Sequence, residues 1–193
     1  MSKIIKVTAI MVSFLLICGA SAVTVLAEGE SNLVTKVGYR TWQKDPSSKP
    51  YRWKNAIEYC SSLELAGYSD WRMPNIDELR SIVRGCPDSE TGGSCGVTED
   101  CASVECAVKG SCFVPCPDKR GKGPGQDGCL WEPSLQGKCD QYWTSSTFLE
   151  SFPSGSSETI TDAWTINFVS GRIDAEQAIE NFRRRELYVR CVR

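Results

Sequence analysis

Cysteine content constrains this chain more than any other feature of its sequence. The 193 residues include eleven cysteines and no histidine. The cysteines of residues 86–139 are never spaced as C-x2-C, the pattern of most structural zinc sites, and no histidine is present to complete a mixed site. Ten of the eleven cysteines lie after residue 18. An even number of cysteines in an exported chain is typical of a disulfide framework. We therefore predict disulfides here and no metal site.

The N-terminus has the pattern of a secretory signal peptide. Two lysines precede an apolar stretch at residues 7–17, and small residues follow it. We predict a signal peptide over residues 1–27, cleaved after Ala27 or, as a second choice, after Ala22. The stretch is weak for a membrane-spanning helix, which needs about 20 apolar residues. The predicted destination is the periplasm, the cell surface or the medium.

Cleavage leaves residues 28–193, a length that suits one domain with its own core. It removes Cys18, so that ten of the eleven cysteines remain for five disulfides. It also takes two of the 22 basic residues, leaving 20 against 24 acidic ones. Nucleic acid would require a broadly basic surface, so we predict no nucleic-acid partner. No later segment is long and apolar enough to cross a membrane.

The lack of histidine also limits chemistry. Ser-His-Asp and Cys-His nucleophiles are excluded, and so are histidine-ligated iron or zinc centres. Carboxylate, lysine, tyrosine and cysteine chemistry remains open. We predict no cofactor and a protein that is not an enzyme.

The first half of the mature chain contains signals for a strand region and two helices. Residues 33–44 favour one or two strands before a Pro/Ser/Lys loop. Apolar residues then recur at helical spacing from Trp53, and this helix should end near Gly67, which can take a left-handed cap. A second helix should begin at Asn75, with Glu78 closing a capping box, and Gly85 should stop it. The apolar stripes of the two helices are Trp53, Ala56, Ile57, Cys60 and Leu63, and Ile76, Leu79, Ile82 and Val83.

Residues 86–139 have a different composition from the rest of the chain. They are rich in Cys, Gly, Pro, Ser and Asp, and the run GKGPGQDG at residues 121–128 cannot form a helix or a central strand. We interpret the segment as a long loop insertion that is held together by disulfides within itself.

The last third of the chain alternates apolar and polar residues. Residues 164–168 predict a half-buried strand that turns at 170–171 and runs back, and residues 187–192 predict a final strand. Cys191 lies on the core-facing row of that strand and Cys60 on the apolar stripe of the first helix, so we predict a Cys60–Cys191 disulfide. The other eight cysteines should pair within the insertion, with open connectivity: Cys86, Cys95, Cys101, Cys106, Cys112, Cys116, Cys129 and Cys139.

Several motifs, taken in order, resemble the Lcl C-terminal domain family. The resemblance covers nearly all of the mature chain, and residues 86–139 are similar to a cysteine-rich insertion found in a subset of members. The motifs are Trp53-x-x-Ala56-x-x-x-Cys60, then Gly67-Tyr68-Ser69-Asp70-Trp71-Arg72-Met73-Pro74-Asn75-x-x-Glu78-Leu79, then Tyr142-Trp143-Thr144-Ser145-Ser146, then Ala163-Trp164, and the ending Tyr188-Val189-Arg190-Cys191-Val192-Arg193.

This resemblance implies an α+β, C-type-lectin-like fold in which two helices pack on small antiparallel sheets beside a long loop region. It also implies similarity in fold to the formylglycine-generating enzyme and to the variable proteins of diversity-generating retroelements. The resemblance further implies an exported bacterial protein, in some cases an adhesin that binds host or surface glycans. The sequence departs from related patterns in two ways. No collagen-like repeat precedes the domain. The Glu-Pro-Asn motif of calcium-dependent lectins is also absent, and in its nearest match, Glu132-Pro133-Ser134, the serine lacks the amide for calcium and sugar ligation, so we predict no calcium.

Two groups of residues are candidates for a site. We interpret Asp70, Trp71 and Arg72 as structural, with the tryptophan in the core and the charged pair bonded to backbone or to each other, because the helix start at Pro74-Asn75 needs a fixed chain direction. Trp143, Trp164 and Tyr188 should also be core residues. The ligand-binding candidates are instead polar residues that should face outward from the hairpin around residues 164–174, namely Thr165, Asn167, Arg172 and Asp174. Arg183, in the connection to the last strand, and Trp131, which should be exposed in a Gly/Cys-rich loop, are further candidates.

These observations predict a secreted, non-catalytic module that binds a glycan or a protein. A purely structural envelope or matrix component is the first alternative. An enzyme related to the formylglycine-generating enzyme is the second, and it would need a reactive cysteine pair or a metal site.

Overall fold

The structure is a computed structural model that describes residues 32–150, 160–178 and 185–193. The predicted signal peptide over residues 1–27 and the candidate Arg183 lie outside the described residues. Among the described residues, no helix has the length and apolarity to cross a membrane.

The chain folds as a mixed α+β structure, as predicted. A hairpin and a three-stranded antiparallel sheet are combined with short helices, and β4 is the central strand of the sheet. The elements are β1 (Val34–Val37), β2 (Arg40–Gln43), α1 (Trp53–Ser61), α2 (Ile76–Ser81), α3 (Val104–Val108), β3 (Gln141–Glu150), β4 (Ile160–Asn167) and β5 (Ile173–Gln177).

The three-stranded sheet separates two hydrophobic clusters. On one face Trp143 and Ala163 pack with Ala56 and Cys60 of α1. On the other face Tyr142, Trp164 and Ile166 pack with α2 and the cysteine-rich insertion. Because both faces of the sheet are covered, β4 is buried on both sides, and Thr165 is 0% exposed. The prediction of a half-buried strand with Thr165 facing outward was therefore wrong.

The first helix is shorter than predicted. It ends at Ser61, whereas the sequence suggested an end near Gly67. Gly67 instead forms a tight turn with Ala66, in which Leu65 and Tyr68 exchange two backbone hydrogen bonds of 3.0 and 3.1 Å. Both central residues have positive φ, at 52° and 76°, which is the conformation of a type I′ turn. A left-handed glycine was correctly anticipated, but it reverses the chain and does not cap the helix.

The second helix begins as predicted. The Asn75 side chain accepts a hydrogen bond from the Glu78 backbone N–H, and the Glu78 carboxylate accepts one from the Asn75 N–H, which completes the capping box. The helix ends at Ser81, and Gly85, with φ 84°, lies beyond that end.

Five disulfides cross-link the described chain. Cys60 and Cys191 are paired with their Cα atoms 5.5 Å apart. This bond joins α1 to the C-terminal segment, residues 185–193. The other four bonds lie within the insertion, which is irregular apart from α3 and a 3-10 turn at Gln126–Gly128. Their pairs are Cys86–Cys116, Cys95–Cys112, Cys101–Cys106 and Cys129–Cys139.

The C-terminal segment is not the regular strand that its alternation predicts. It makes isolated bridges to separate parts of the chain, among them Trp42 with Val192, Tyr51 with Leu187 and Tyr142 with Tyr188. Side chains on both faces of this segment are buried, since Val189, Arg190 and Cys191 are each inaccessible to solvent. A segment that fills a gap between several elements cannot have a solvent-facing row.

Candidate ligand-binding surfaces

The residues interpreted as structural are bonded more specifically than expected. Trp71 is buried, and its indole N–H donates to the Leu65 carbonyl at 3.3 Å. Asp70 pairs with Arg193, at 2.7 and 3.1 Å. Arg72 makes two hydrogen bonds to Glu78, of 2.6 and 2.5 Å. The two charged residues therefore bind other charged side chains and not each other.

Trp131 is buried and is not an exposed contact residue. It is 0% exposed, and its ring packs at 5.2 Å from Phe168 and 5.8 Å from Tyr142, measured between centroids. The guanidinium of Arg190 covers it at 4.7 Å. The prediction of exposure was wrong because the glycines and cysteines around Trp131 indicate a loop, while the residues that cover it come from distant parts of the chain.

Thr165 and Asn167 use polar atoms for hydrogen bonds within the three-stranded sheet and the β4–β5 turn. The Thr165 hydroxyl accepts from the Gln141 amide at 2.7 Å and donates to the Asp174 carbonyl at 3.1 Å. The Asn167 side-chain oxygen accepts from the backbone N–H groups of Val169 and Ser170, at 3.0 and 3.1 Å. Asn167 thus shapes the turn, and the Thr165 hydroxyl links all three strands of the sheet.

Arg172 and Asp174 remain on the surface. They form an ion pair of 3.0 Å, with the arginine side chain 44% exposed. A second pair joins Glu176 to Arg185 at 3.3 Å. Burial raises the pKa of Glu176, and the nearby Arg185 only partly opposes that rise. The candidate surface therefore consists of two ion pairs whose charges already neutralise each other.

A cleft lined mainly by polar residues lies between the β1–β2 turn and α2. Its volume is about 450 Å³, which is within the usual range for small-ligand sites. Sequence reasoning missed this site because its residues come from three separate segments, at residues 37–40, 75–84 and 91. The cleft is lined by Val37, Gly38, Tyr39, Arg40, Asn75, Asp77, Glu78, Ser81, Arg84 and Thr91.

Glu78 forms the floor of this cleft. Besides the two bonds from Arg72, it accepts an ion-pair contact of 2.9 Å from Arg40 and a hydrogen bond of 3.0 Å from the Asn75 backbone N–H. Burial by itself would raise the pKa of Glu78, but the hydrogen bonds and positive charges outweigh it and hold the pKa below its usual value. The carboxylate is therefore ionised at neutral pH, and it fixes the position of Arg40.

Tyr39 forms the outer wall. It follows Gly38, whose φ of 61° allows the sharp turn between the two strands, and its side chain is 89% exposed. The Arg40 guanidinium lies 5.1 Å from the centre of its ring. An aromatic residue after a turn glycine was the one sequence signal that could have indicated this site.

Arg84 and Asp77 complete the polar lining. Arg84 is paired with Glu132 at 3.0 Å and donates to the Ser81 and Val83 carbonyls at 2.8 and 2.7 Å. One oxygen of Asp77 accepts from the Glu99 backbone N–H at 3.0 Å. The cleft thus presents rigidly held donors and acceptors next to an exposed ring.

No group of three His, Cys, Asp or Glu side chains within the described ranges is arranged to hold a metal ion. The described cysteines are all in disulfides.

Comparison with known proteins identifies the family. No curated protein and no solved structure matches the chain. The model of the Lcl C-terminal domain matches residues 37–193. That range includes both predicted helices, the three-stranded sheet, the five disulfides and the cleft. The chain therefore belongs to the Lcl C-terminal domain family.

Proposed function

We propose that this protein is an exported, non-catalytic binding module that recognises a glycan or a protein outside the cytoplasm. The observation that carries the proposal is the cleft of about 450 Å³, in which an exposed tyrosine stands beside fixed charged groups. Binding sites combine an aromatic contact surface with a few well-placed polar groups. Tyr39 and Arg40 provide that combination here.

Export is supported by the disulfides and by the signal-peptide pattern of residues 1–27. Five disulfides in one domain are typical of proteins that fold in an oxidising compartment. We also propose that the domain, residues 28–193, has a C-type-lectin-like fold. Helices on small antiparallel sheets beside a disulfide-bonded loop region are what the family resemblance implies.

A non-catalytic role is supported by the state of the cysteines. An enzyme related to the formylglycine-generating enzyme would need a reactive thiol or a metal, and the ten cysteines of the described residues are paired. Counting free thiols by mass spectrometry on protein purified without reductant tests this point. Zero free thiols in the mature chain is the expected result, and a free thiol would favour the enzyme.

The binding role is tested by presenting the mature protein to an array of bacterial and host glycans and surface proteins. We expect at least one ligand at micromolar protein concentration, with binding that is weakened by Tyr39→Ala. Tyr68→Ala is the matched control, because Tyr68 is a partly exposed tyrosine outside the cleft and stacks with Arg193 at 3.6 Å. Absence of binding across the array would favour the purely structural role.

A further inference from the structure

We infer that the cleft binds an uncharged oligosaccharide, with one sugar ring stacked on Tyr39 and its hydroxyl groups bonded to Arg40 and Asp77. This inference rests on the proposed function, because it names the class of ligand that the same cleft takes. Three features of the cleft carry it, namely its charge balance, its mixture of donors and acceptors, and the exposure of its aromatic ring.

The charges that line the cleft cancel. Arg40 and Arg84 contribute two positive charges, and Asp77 and Glu78 contribute two negative ones. The charged groups behind this lining are balanced as well. Arg72, which pairs with Glu78, adds one positive charge, and Glu132, which pairs with Arg84, adds one negative charge. A strongly anionic or cationic ligand would thus meet no net opposite charge and would lose hydration without compensation. An uncharged ligand avoids that cost.

The cleft also offers donors and acceptors side by side. The Arg40 guanidinium reaches Glu78 through Nη2, and the guanidinium carries five N–H donors in all. Asp77 uses its Oδ2 atom for the Glu99 backbone, and an ionised carboxylate has two acceptor oxygens. A sugar hydroxyl is both a donor and an acceptor. Neighbouring hydroxyls on one ring can therefore satisfy an arginine and a carboxylate together, which an apolar ligand cannot do.

The exposed ring supplies the contact for the apolar face of a sugar. Tyr39 is the most exposed of the large hydrophobic side chains in the described part of the chain, at 89%. An aromatic side chain in water gains from any flat apolar surface that covers it, and tyrosine loses little conformational entropy when it does so. The hydrogens on the faces of a pyranose ring form such a surface.

A different part of the molecule is suited to anionic polymers. Lys119, Arg120 and Lys122 are exposed in the insertion, and their loop is bound to the β4–β5 turn by a hydrogen bond of 2.8 Å from Gly121 N–H to the Val169 carbonyl. Binding there would be electrostatic and would weaken with salt. This loop provides an internal control for any anionic glycan that the protein takes.

The experiment uses the mature protein with all disulfides intact. Cellohexaose, mannohexaose and hexaacetylchitohexaose are the uncharged probes, and heparin and polygalacturonate are the anionic ones, each titrated by calorimetry at low and high salt. We expect at least one uncharged probe to bind with a dissociation constant of about 1 mM or tighter. The affinity for this probe should be insensitive to salt.

Variants then locate the site. Tyr39→Ala should weaken binding of the uncharged probe about three- to tenfold, as expected for loss of an aromatic contact, whereas Tyr39→Phe should retain it. Asp77→Asn should also weaken it. Tyr68→Ala and the triple variant Lys119→Gln/Arg120→Gln/Lys122→Gln should leave it unchanged. Because Tyr39 is so exposed, its replacement should not disturb folding.

Two results would overturn the inference. One is that none of the uncharged probes binds. The other is that an uncharged probe binds equally well to the Tyr39→Ala variant. The proposed function is tested separately. If a protein or a charged ligand from the array bound in a way that requires Tyr39, the binding role would stand and only the assignment of an uncharged oligosaccharide would be wrong.

Discussion

The guanidinium carbon of Arg190 lies 4.7 Å from the centre of the Trp131 ring. Both residues are fully buried. The arginine is held by the carbonyl groups of Gln43 and Gln136, at 2.8 and 2.6 Å, and also by that of Lys44. It therefore joins β2, the end of the insertion and the C-terminal segment in a single contact.

Replacement of Arg190 by methionine should destabilise the protein strongly. The variant keeps much of the side-chain volume but removes the three hydrogen bonds that the buried guanidinium donates to the carbonyls of Gln43, Lys44 and Gln136, and we expect a loss of about 3 kcal/mol or more in the free energy of unfolding. Burial lowers the pKa of Arg190 to about 10, so the native group is still charged at pH 7. Urea denaturation measures the loss. The exposed Arg120→Met variant is the control, and equal stability of the two variants would contradict this role.

The disulfide between Cys60 and Cys191 should contribute more stability than the one between Cys101 and Cys106. The first closes a loop with a sequence separation of 131 residues, and the second one of 5. Chain entropy gives about 5 kcal/mol for the long loop and about 2 kcal/mol for the short one. The paired replacements by alanine should follow that order in denaturant unfolding under oxidising conditions. A larger loss for the short loop would show that unfolded-chain entropy does not dominate here.

Glu78 should make stability depend on pH at the acidic end. Its pKa is lower in the folded protein than in the unfolded chain, so its stabilisation is present above the unfolded pKa and is lost as pH falls through the folded pKa. Glu78→Gln should cost about 1–3 kcal/mol at pH 7. The difference between the variant and the native protein should shrink over the acidic range in which the pH falls from the unfolded pKa through the folded one. Thermal unfolding across that range tests the sign.

Glu176 should show the opposite dependence. Its pKa is raised in the folded protein, so folding favours its protonated form, and the contribution of this group to stability falls as pH rises through that pKa. The Glu176→Gln variant lacks this loss. The stability of Glu176→Gln relative to the native protein should therefore increase from acidic to neutral pH. Thermal unfolding scans of Glu176→Gln and Glu78→Gln at the same pH values test this difference. A parallel response of the two variants would contradict one of the two assignments, and its direction would show which.

Two neighbouring hairpin residues should respond differently to substitution. Thr165→Val should cost about 1–3 kcal/mol, because it removes the buried hydroxyl that bonds the Gln141 amide and the Asp174 carbonyl. Arg172→Ala should change stability by less than about 1 kcal/mol, because its ion pair is exposed. Chemical denaturation compares the two. A large loss for Arg172→Ala would mean that the surface pair supports the fold.

Local signals in the sequence were reliable where the interaction is itself local. The capping box of Asn75 and Glu78 spans one helical turn, so its residues specify it without help from the rest of the chain. The pairing of Cys60 with Cys191 spans the whole domain, yet it could be inferred because the position of each cysteine in its own periodic segment directs it into the core. The separation of the remaining cysteines into the insertion followed from the same reasoning.

The binding surface was predicted poorly because burial depends on what covers a residue. Alternation suggested an outward row at Thr165, but α1 and the C-terminal segment cover that face of the sheet. Trp131 lies in a loop by its neighbours in sequence, but Arg190 closes over it. In both cases the covering residues are far away along the chain, and no pattern within the segment itself reveals them.

The sequence alone determined the start of α2 and the disulfide-rich character of the chain, because capping and cysteine number are properties of short segments or of composition. Its ordered motifs also carry the resemblance that identified the family and implied the α+β class. Only the tertiary structure decided which polar residues face solvent and which of them meet. The cleft exists because the turn at Tyr39 packs beside Glu78. That contact depends on how the hairpin and α2 dock on a shared core, and residues that are separated in the chain carry no local mark of their proximity.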